Sequence, residues 1–292
     1  MKERYINPYT DFGFKKLFGE EASKDLLIDF LNQVLRDEHV IVDLSFRPTE
    51  QLSGNDADRK AIFDLYCRGS NGESFIVEMQ KAKINFFKER ALFYSTFPIR
   101  EQAEKGNWDY QLKPVYCVAI LDFEFGKTKN DSARYLSNVK LKDQYCEVFY
   151  DKLTYIFIEM PRFNKTPEQL ETRFDKWLYF LKHLPGFEEI PAILNEPVFQ
   201  KGFEKAELLK YNRDDLARYE ESLKVYRDLK GVVDTAFLDG RVEGKLEGNL
   251  ECKLEGKLEG KLETARKLKN LGVKTEIIVQ STGLSIAEIH SL

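Results

Sequence analysis

Two short apolar runs, Ile62–Arg68 and Phe75–Gln80, flank the cluster Gly69-Ser70-Asn71-Gly72, and this pairing constrains the fold more than any other stretch. The Asn-Gly pair tolerates positive φ, and the runs are rich in Phe, Ile, Val and Tyr, so the spacing predicts a β-hairpin. Strand side chains alternate faces, which puts Glu78 and Gln80 on one side and Met79 on the other. If Asp64 on the first run faces the same side, two carboxylates and an amide converge. A carboxylate such as Glu78 among apolar neighbours is costly unless it is paired or binds a cation.

An acid on one strand and acid-x-polar on the next suit a hard divalent ion. Asp64, Glu78 and the Met79 carbonyl offer Mg²⁺ part of an octahedron, with water filling the rest; Mn²⁺ or Ca²⁺ are the alternative occupants. Such a water is a candidate nucleophile for phosphodiester hydrolysis, with Asp64, Glu78 and Gln80 as the catalytic set.

The hairpin resembles the core of the PD-(D/E)XK nuclease superfamily, with Gln80 where a lysine usually stands. More narrowly, Thr10-Asp11-Phe12-Gly13-Phe14-Lys15-Lys16-Leu17-Phe18-Gly19, then Asp64, Glu78-Met79-Gln80 and Arg90-Ala91-Leu92-Phe93-Tyr94 resemble the Rpn family of recombination-promoting nucleases, also described as transposases. The likeness covers the first half to two thirds of the chain. It implies an α/β fold: a mixed sheet flanked by helices, followed here by an α-helical extension. It also implies DNA as partner and a catalytic metal. Asp11 and Lys15 in the first motif, and Arg90 and Tyr94 in the last, become accessory or DNA-contacting candidates. Glutamine in place of lysine is common in the Rpn family; it cannot carry positive charge or donate a proton as an ammonium, so the general acid stays unassigned.

A net charge of −4 excludes a globally basic nucleic-acid binder, so a DNA surface must be a local patch. Lys81, Lys83, Lys88 and Arg90, directly after Gln80, form the best candidate, with a solvated helix face as the alternative. No apolar run reaches the length of a membrane span, and Met1-Lys2-Glu3-Arg4-Tyr5 does not begin a signal peptide. Four cysteines without C-x-x-C spacing read as reduced thiols, which favours the cytoplasm.

Taken in order, Ser23 reads as an N-cap for a helix with Leu26, Leu27, Phe30, Leu31, Val34 and Leu35 at helical spacing. Val40–Phe46 is an expected first strand, Pro48–Arg59 a polar loop, and Ile84–Lys105 a helix that Pro98 kinks or divides. The near-continuous apolar run Pro114–Leu121 fits a strand buried on both faces. Tyr145–Tyr150 and Leu153–Met160 read as two further strands, and Asp122 and Glu124 as a solvated strand end. Helix, three strands, helix and strand is the order expected of the superfamily core. The resemblance makes 1–165 a nuclease domain, and composition then marks a helical extension (166–240), a repeat (241–264) and a small helical end (265–292).

The repeat comprises six tetrads, from Arg241-Val242-Glu243-Gly244 to Lys261-Leu262-Glu263-Thr264. On a helix each tetrad advances about 40° around the axis, so Lys, Leu, Glu and Gly form four separate winding rows. Each interior Gly costs about 1 kcal/mol relative to Ala, so such a helix is poor alone. Two readings stand side by side: a self-association segment in which Gly lets another backbone approach and the Lys row of one chain meets the Glu row of another, and a disordered linker. The last residues suggest two short helices about Thr282-Gly283-Leu284. That arrangement resembles a helix-turn-helix, but the second helix lacks Arg and Lys, which favours a packing element.

The expected activity is metal-dependent DNA endonuclease chemistry, associated with recombination, mobile elements or phage defence. The alternative is an inactive nuclease fold that binds DNA or self-assembles.

Overall fold

A computed structural model describes residues 3–36, 40–51, 61–103, 109–124 and 134–292. Most of the expected polar loop, and the end of the helix expected to reach Lys105, lie outside them. The chain opens with α1 (Asp11–Phe18), whose N-cap Thr10 accepts a hydrogen bond from the Gly13 amide at 2.9 Å. Glycine is required there, because a Cβ on Gly13 would run into the Asn7 carbonyl oxygen and the Thr10 hydroxyl. Gly13→Ala should therefore lower stability by about 1–3 kcal/mol, read as a shift in denaturant midpoint. Next comes α2 (Lys24–Val34). Ser23 does not cap it through its side chain, in contrast to the expectation; its buried hydroxyl turns back to the Lys16 and Glu20 carbonyls.

The strands β1 (Leu44–Phe46), β2 (Glu50–Gln51), β3 (Ala61–Ile62), β4 (Leu65–Gly69) and β5 (Ser74–Gln80) follow. Then come α3 (Phe87–Glu101), β6 (Val115–Leu121), β7 (Leu136–Lys142) and β8 (Val148–Glu159). Residues 40–43 stay outside β1, so the first strand is shorter than expected. Helix α3 continues through Pro98, which sits in its last turn. The chain continues through α4 (Arg173–His183), α5 (Pro197–Ala206), α6 (Arg213–Asn270), α7 (Thr275–Thr282) and α8 (Ile286–Ser291).

Six strands form one sheet in the order β1-β4-β5-β6-β8-β7. The hairpin β4–β5 is antiparallel, while β5, β6 and β8 run parallel through the centre, with α3 between β5 and β6 in the chain. Every residue of β6 is buried, as expected for a strand covered on both faces. Two corrections concern the far edge. The run expected as two strands, Tyr145–Tyr150 and Leu153–Met160, contains the single twelve-residue β8. Its antiparallel partner β7 exposes Asn138, Val139, Leu141 and Lys142 and has no strong apolar alternation to announce it. Between them Asp143 Oδ1 accepts from the Tyr145 and Glu147 amides at 2.9 Å each, which makes Tyr145–Glu147 a turn.

Period-two alternation divides the sheet residues between two apolar layers. Leu65, Cys67, Phe75, Val77 and Met79 face the larger layer, where Phe18, Phe30, Trp177, Phe180 and Phe199 pack among helices α1, α2, α4 and α5. Tyr66, Ile76, Cys117 and Phe157 face the smaller layer with Phe63, Phe87 and Phe97. The chain divides into two compact units, Met1–Lys230 and Gly231–Leu292. In the second unit, Ala265 of α6 packs with Ile278, Leu284 and Ile289 in a small three-helix cluster. The repeat is helical throughout, within α6. No helix among the described residues is long and apolar enough to cross a membrane.

Candidate active site

Regular pairing of β4 with β5 stops at Leu65–Val77. One step earlier the Phe63 amide donates to Thr49 instead, and β3 pairs with β2 rather than with β5. Phe63 and Asp64 thus form a break in the expected strand, and Asp64 does not reach the site by simple alternation. The break leaves the Met79 amide without a ladder partner, and Asp64 Oδ2 accepts from it at 2.8 Å. In an extended strand the N–H and C=O of one residue point to the same edge, so the Met79 carbonyl is also directed to the Asp64 side. Gln80 faces the other edge, where its carbonyl accepts from Asp122 N–H.

Glu78 and Gln80 share the α3 face of the sheet. Glu78 is only 6% exposed, and its Oε2 accepts from Gln80 Nε2 at 2.8 Å and from Arg90 Nη2 at 3.1 Å. Its Oε1 is buried with no hydrogen-bond partner among the described residues. Burial first, and the neighbouring Asp64 charge second, push the Glu78 carboxyl up to about 7; Arg90 and Gln80 oppose the shift. Asp64 is raised too, mainly by burial, with the Met79 amide opposing. Asp11 raises it further, while Lys15 and Lys81 act against the rise, so α1 and the loop after β5 both lie within electrostatic reach of Asp64.

The sequence candidates therefore separate into groups. Asp64, Glu78, Met79 and Gln80 come together. Asp11 and Lys15 border them as an exposed i,i+4 ion pair at 2.9 Å. Arg90 is bound to Glu78 and lies over the Tyr94 ring, its guanidinium carbon 5.1 Å from the centroid. Tyr94 itself packs edge-on against Phe63. Lys83 is exposed in the loop after β5. Asp122, half-buried, accepts from the Tyr226 hydroxyl at 2.9 Å, whereas Glu124 is exposed and pairs with Arg162 at 3.4 Å, so the strand end is packed at Asp122 and solvated at Glu124. The Arg90–Glu78 ion pair is the feature that sequence reasoning missed. The partners lie twelve residues apart across a loop and a strand-to-helix change, and no periodicity links them.

Among the described residues no three His, Cys, Asp or Glu side chains cluster as a metal cage. A cation here would rest on two carboxylates and a main-chain carbonyl, with water completing its shell. The donor set is all hard oxygen, and the buried, unpartnered Glu78 Oε1 is the kind of group that a cation satisfies. The residues fit a hard divalent ion.

A central sheet of mixed direction, flanked by helices and carrying paired acids at the open end of a hairpin, defines a nuclease-type α/β core. A family model described as PD-(D/E)XK nuclease family transposase matches residues 8–236, and the chain belongs to that family. Comparison with curated proteins and with solved structures returns no match. Membership supports a nuclease-like, transposase-associated function, and proteins of this family generally use divalent metals and act on DNA.

Proposed function

We propose that the chain is a Mg²⁺-dependent DNA endonuclease of the Rpn type, which hydrolyses phosphodiester bonds at a site built by Asp64, Glu78, Met79 and Gln80. The observation that carries this reading is the buried Glu78 carboxylate, with one unpartnered oxygen, held beside a second desolvated acid. Burial of that kind is costly, the Arg90 and Gln80 contacts offset it only in part, and a cation would satisfy the remaining oxygen. Residues 1–165 carry the chemistry in this reading, and 166–240 support it.

A divalent cation held here would supply Lewis-acid chemistry at a phosphoryl oxygen and lower the pKa of a water. Asp64 and Glu78 Oε1 would hold it, with the Met79 carbonyl as the third protein donor. Gln80 donates to Glu78 Oε2, which fixes that carboxylate's rotamer; the amide Oε1 is left to accept from the attacking water and orient it. Arg90 locks the same Oε2 from the opposite element and brings positive charge to the rim. Lys15, Lys81 and Lys83 supply local positive charge for the phosphate backbone despite the acidic whole.

A second reading, a nuclease fold that grips DNA without cutting, draws on the Arg90–Glu78 pair, which partly neutralises the buried acid with no metal. Supercoiled-plasmid nicking with Mg²⁺, Mn²⁺ and EDTA separates the two. Metal-dependent cutting that is lost in Asp64→Ala and Glu78→Ala supports the enzyme. DNA retention without cutting by wild type supports the binder.

A further inference from the structure

The repeat within α6 presents an uninterrupted apolar row to solvent. Leu238, Val242, Leu246, Leu250, Leu254 and Leu258 recur every four residues, and Leu246, Leu250 and Leu254 are 64%, 60% and 59% exposed. The row enters the three-helix cluster only at Leu262. Around the helix the Lys row lies on one flank of this seam and the Glu row on the other, because the two are always two residues apart. The Gly row is on the far side, away from the seam.

We infer that this row is the seam of a homodimer in which two copies of the repeat helix pack in parallel. Charge placement selects both the partner and the direction. A two-fold axis along the helices turns the Glu flank of one copy onto the Lys flank of the other, on both sides of the seam. A two-fold axis across the helices sets Glu against Glu and Lys against Lys. A second copy in parallel is therefore the complementary occupant, and the antiparallel pair is the repelled one. A row of period four, longer than the 3.6-residue turn, is inclined to the helix axis, so aligning two such rows crosses the helices right-handedly at about −50°. Contact then centres on the tetrads from Leu246 to Leu258. The pairing does not depend on the nuclease reading. It would tether two copies of the N-terminal unit to the same end of the seam, where each raises the other's effective concentration.

The test uses the full chain with Cys146→Ser and Cys252→Ser, which removes the exposed native thiols. Leu250→Cys and Leu254→Cys, which flank the crossing point, are introduced separately, oxidised mildly and run on a non-reducing gel. In a parallel pair each position faces its own copy, so each variant cross-links with itself and mixing adds nothing. Cross-linking only when the two variants are mixed would overturn the direction. A monomer by sedimentation at every concentration would overturn the pairing. Two charge variants guard against a folding artefact: Glu247, Glu251 and Glu255 all changed to Lys, and Lys245, Lys253 and Lys257 all changed to Glu. Each alone should raise the dimer dissociation constant roughly fifty- to a hundredfold, since several flank pairs turn repulsive together. Their mixture should restore association, which a misfolded helix would not do. Failure of the mixture to associate would also overturn the proposal.

Discussion

Glu78→Gln should abolish metal-dependent cleavage, by about a thousandfold or more, and at the same time make the metal-free protein more stable above neutral pH. The two effects have one origin. The wild-type carboxylate is buried, next to Asp64, with one oxygen unpartnered. Ionising it there costs folding free energy that the Arg90 and Gln80 contacts offset only in part. A neutral amide of the same shape removes that cost and still accepts from one of the two donors, so the gain should be about 1–3 kcal/mol at pH 8. In a domain of this size that corresponds to roughly 2–10 °C in melting temperature. The amide also removes the anionic ligand on which the cation depends, so activity is lost while the fold improves. Thermal scans in EDTA together with plasmid nicking measure both. A variant that loses activity and stability together would mean that Glu78 is a structural partner of Arg90 and nothing more.

The second large effect is a pH dependence whose sign follows from the same burial. Glu78 is raised in the folded state from its ordinary 4.5 to about 7. Its proton is therefore held more tightly when folded, so its stabilising contribution is fully present below pH 4.5 and is lost as pH rises through 7. The metal-free protein should lose up to roughly 3 kcal/mol across that window from this group. Asp64, also raised, adds in the same direction. Asp43 and Asp175 are lowered, chiefly by Lys24 for the first, and for the second by Lys165 and other hydrogen bonds against burial; they act with the opposite sign at lower pH. Subtracting the Glu78→Gln profile from wild type isolates the residue. Cation binding should run the other way, because the ion must displace the proton: affinity should climb about tenfold per pH unit below 7 and level off above it. Denaturant midpoints from pH 4 to 8, with EDTA and with excess Mg²⁺, should therefore diverge as pH rises. Parallel curves would contradict a shared site for proton and metal.

How much of this was legible beforehand depends on the range over which each feature is determined. The hairpin, the common face of Glu78 and Gln80, and the buried central strand follow from neighbours within ten residues, and each is present in the fold. The apolar spacing of Leu26, Leu27, Phe30, Leu31 and Val34 likewise places their helix, although its expected Ser23 cap fails. Such features are set by local alternation and turn chemistry. The break at Phe63–Asp64 is different. It arises because the Phe63 amide finds Thr49, a long-range choice that no local pattern encodes, and it is what aims Asp64 at the Met79 amide. β7 was hidden because an edge strand with one exposed face needs little apolar residue content. β8 appeared as two strands because Asp151 and Lys152 interrupt its hydrophobicity without interrupting its backbone. In α6, six tetrads with regular glycines left helix and linker balanced, and the balance is decided by the helix on either side of them.

Joint reception of a divalent cation by Asp64 and Glu78 is read by electron paramagnetic resonance of Mn²⁺ titrated into the millimolar range. Free-ion signal should be lost with wild type at pH 8 and should recover with Asp64→Ala, with Glu78→Gln and on excess Mg²⁺. Binding of Mn²⁺ undiminished in both variants, or none by wild type, would contradict that joint role.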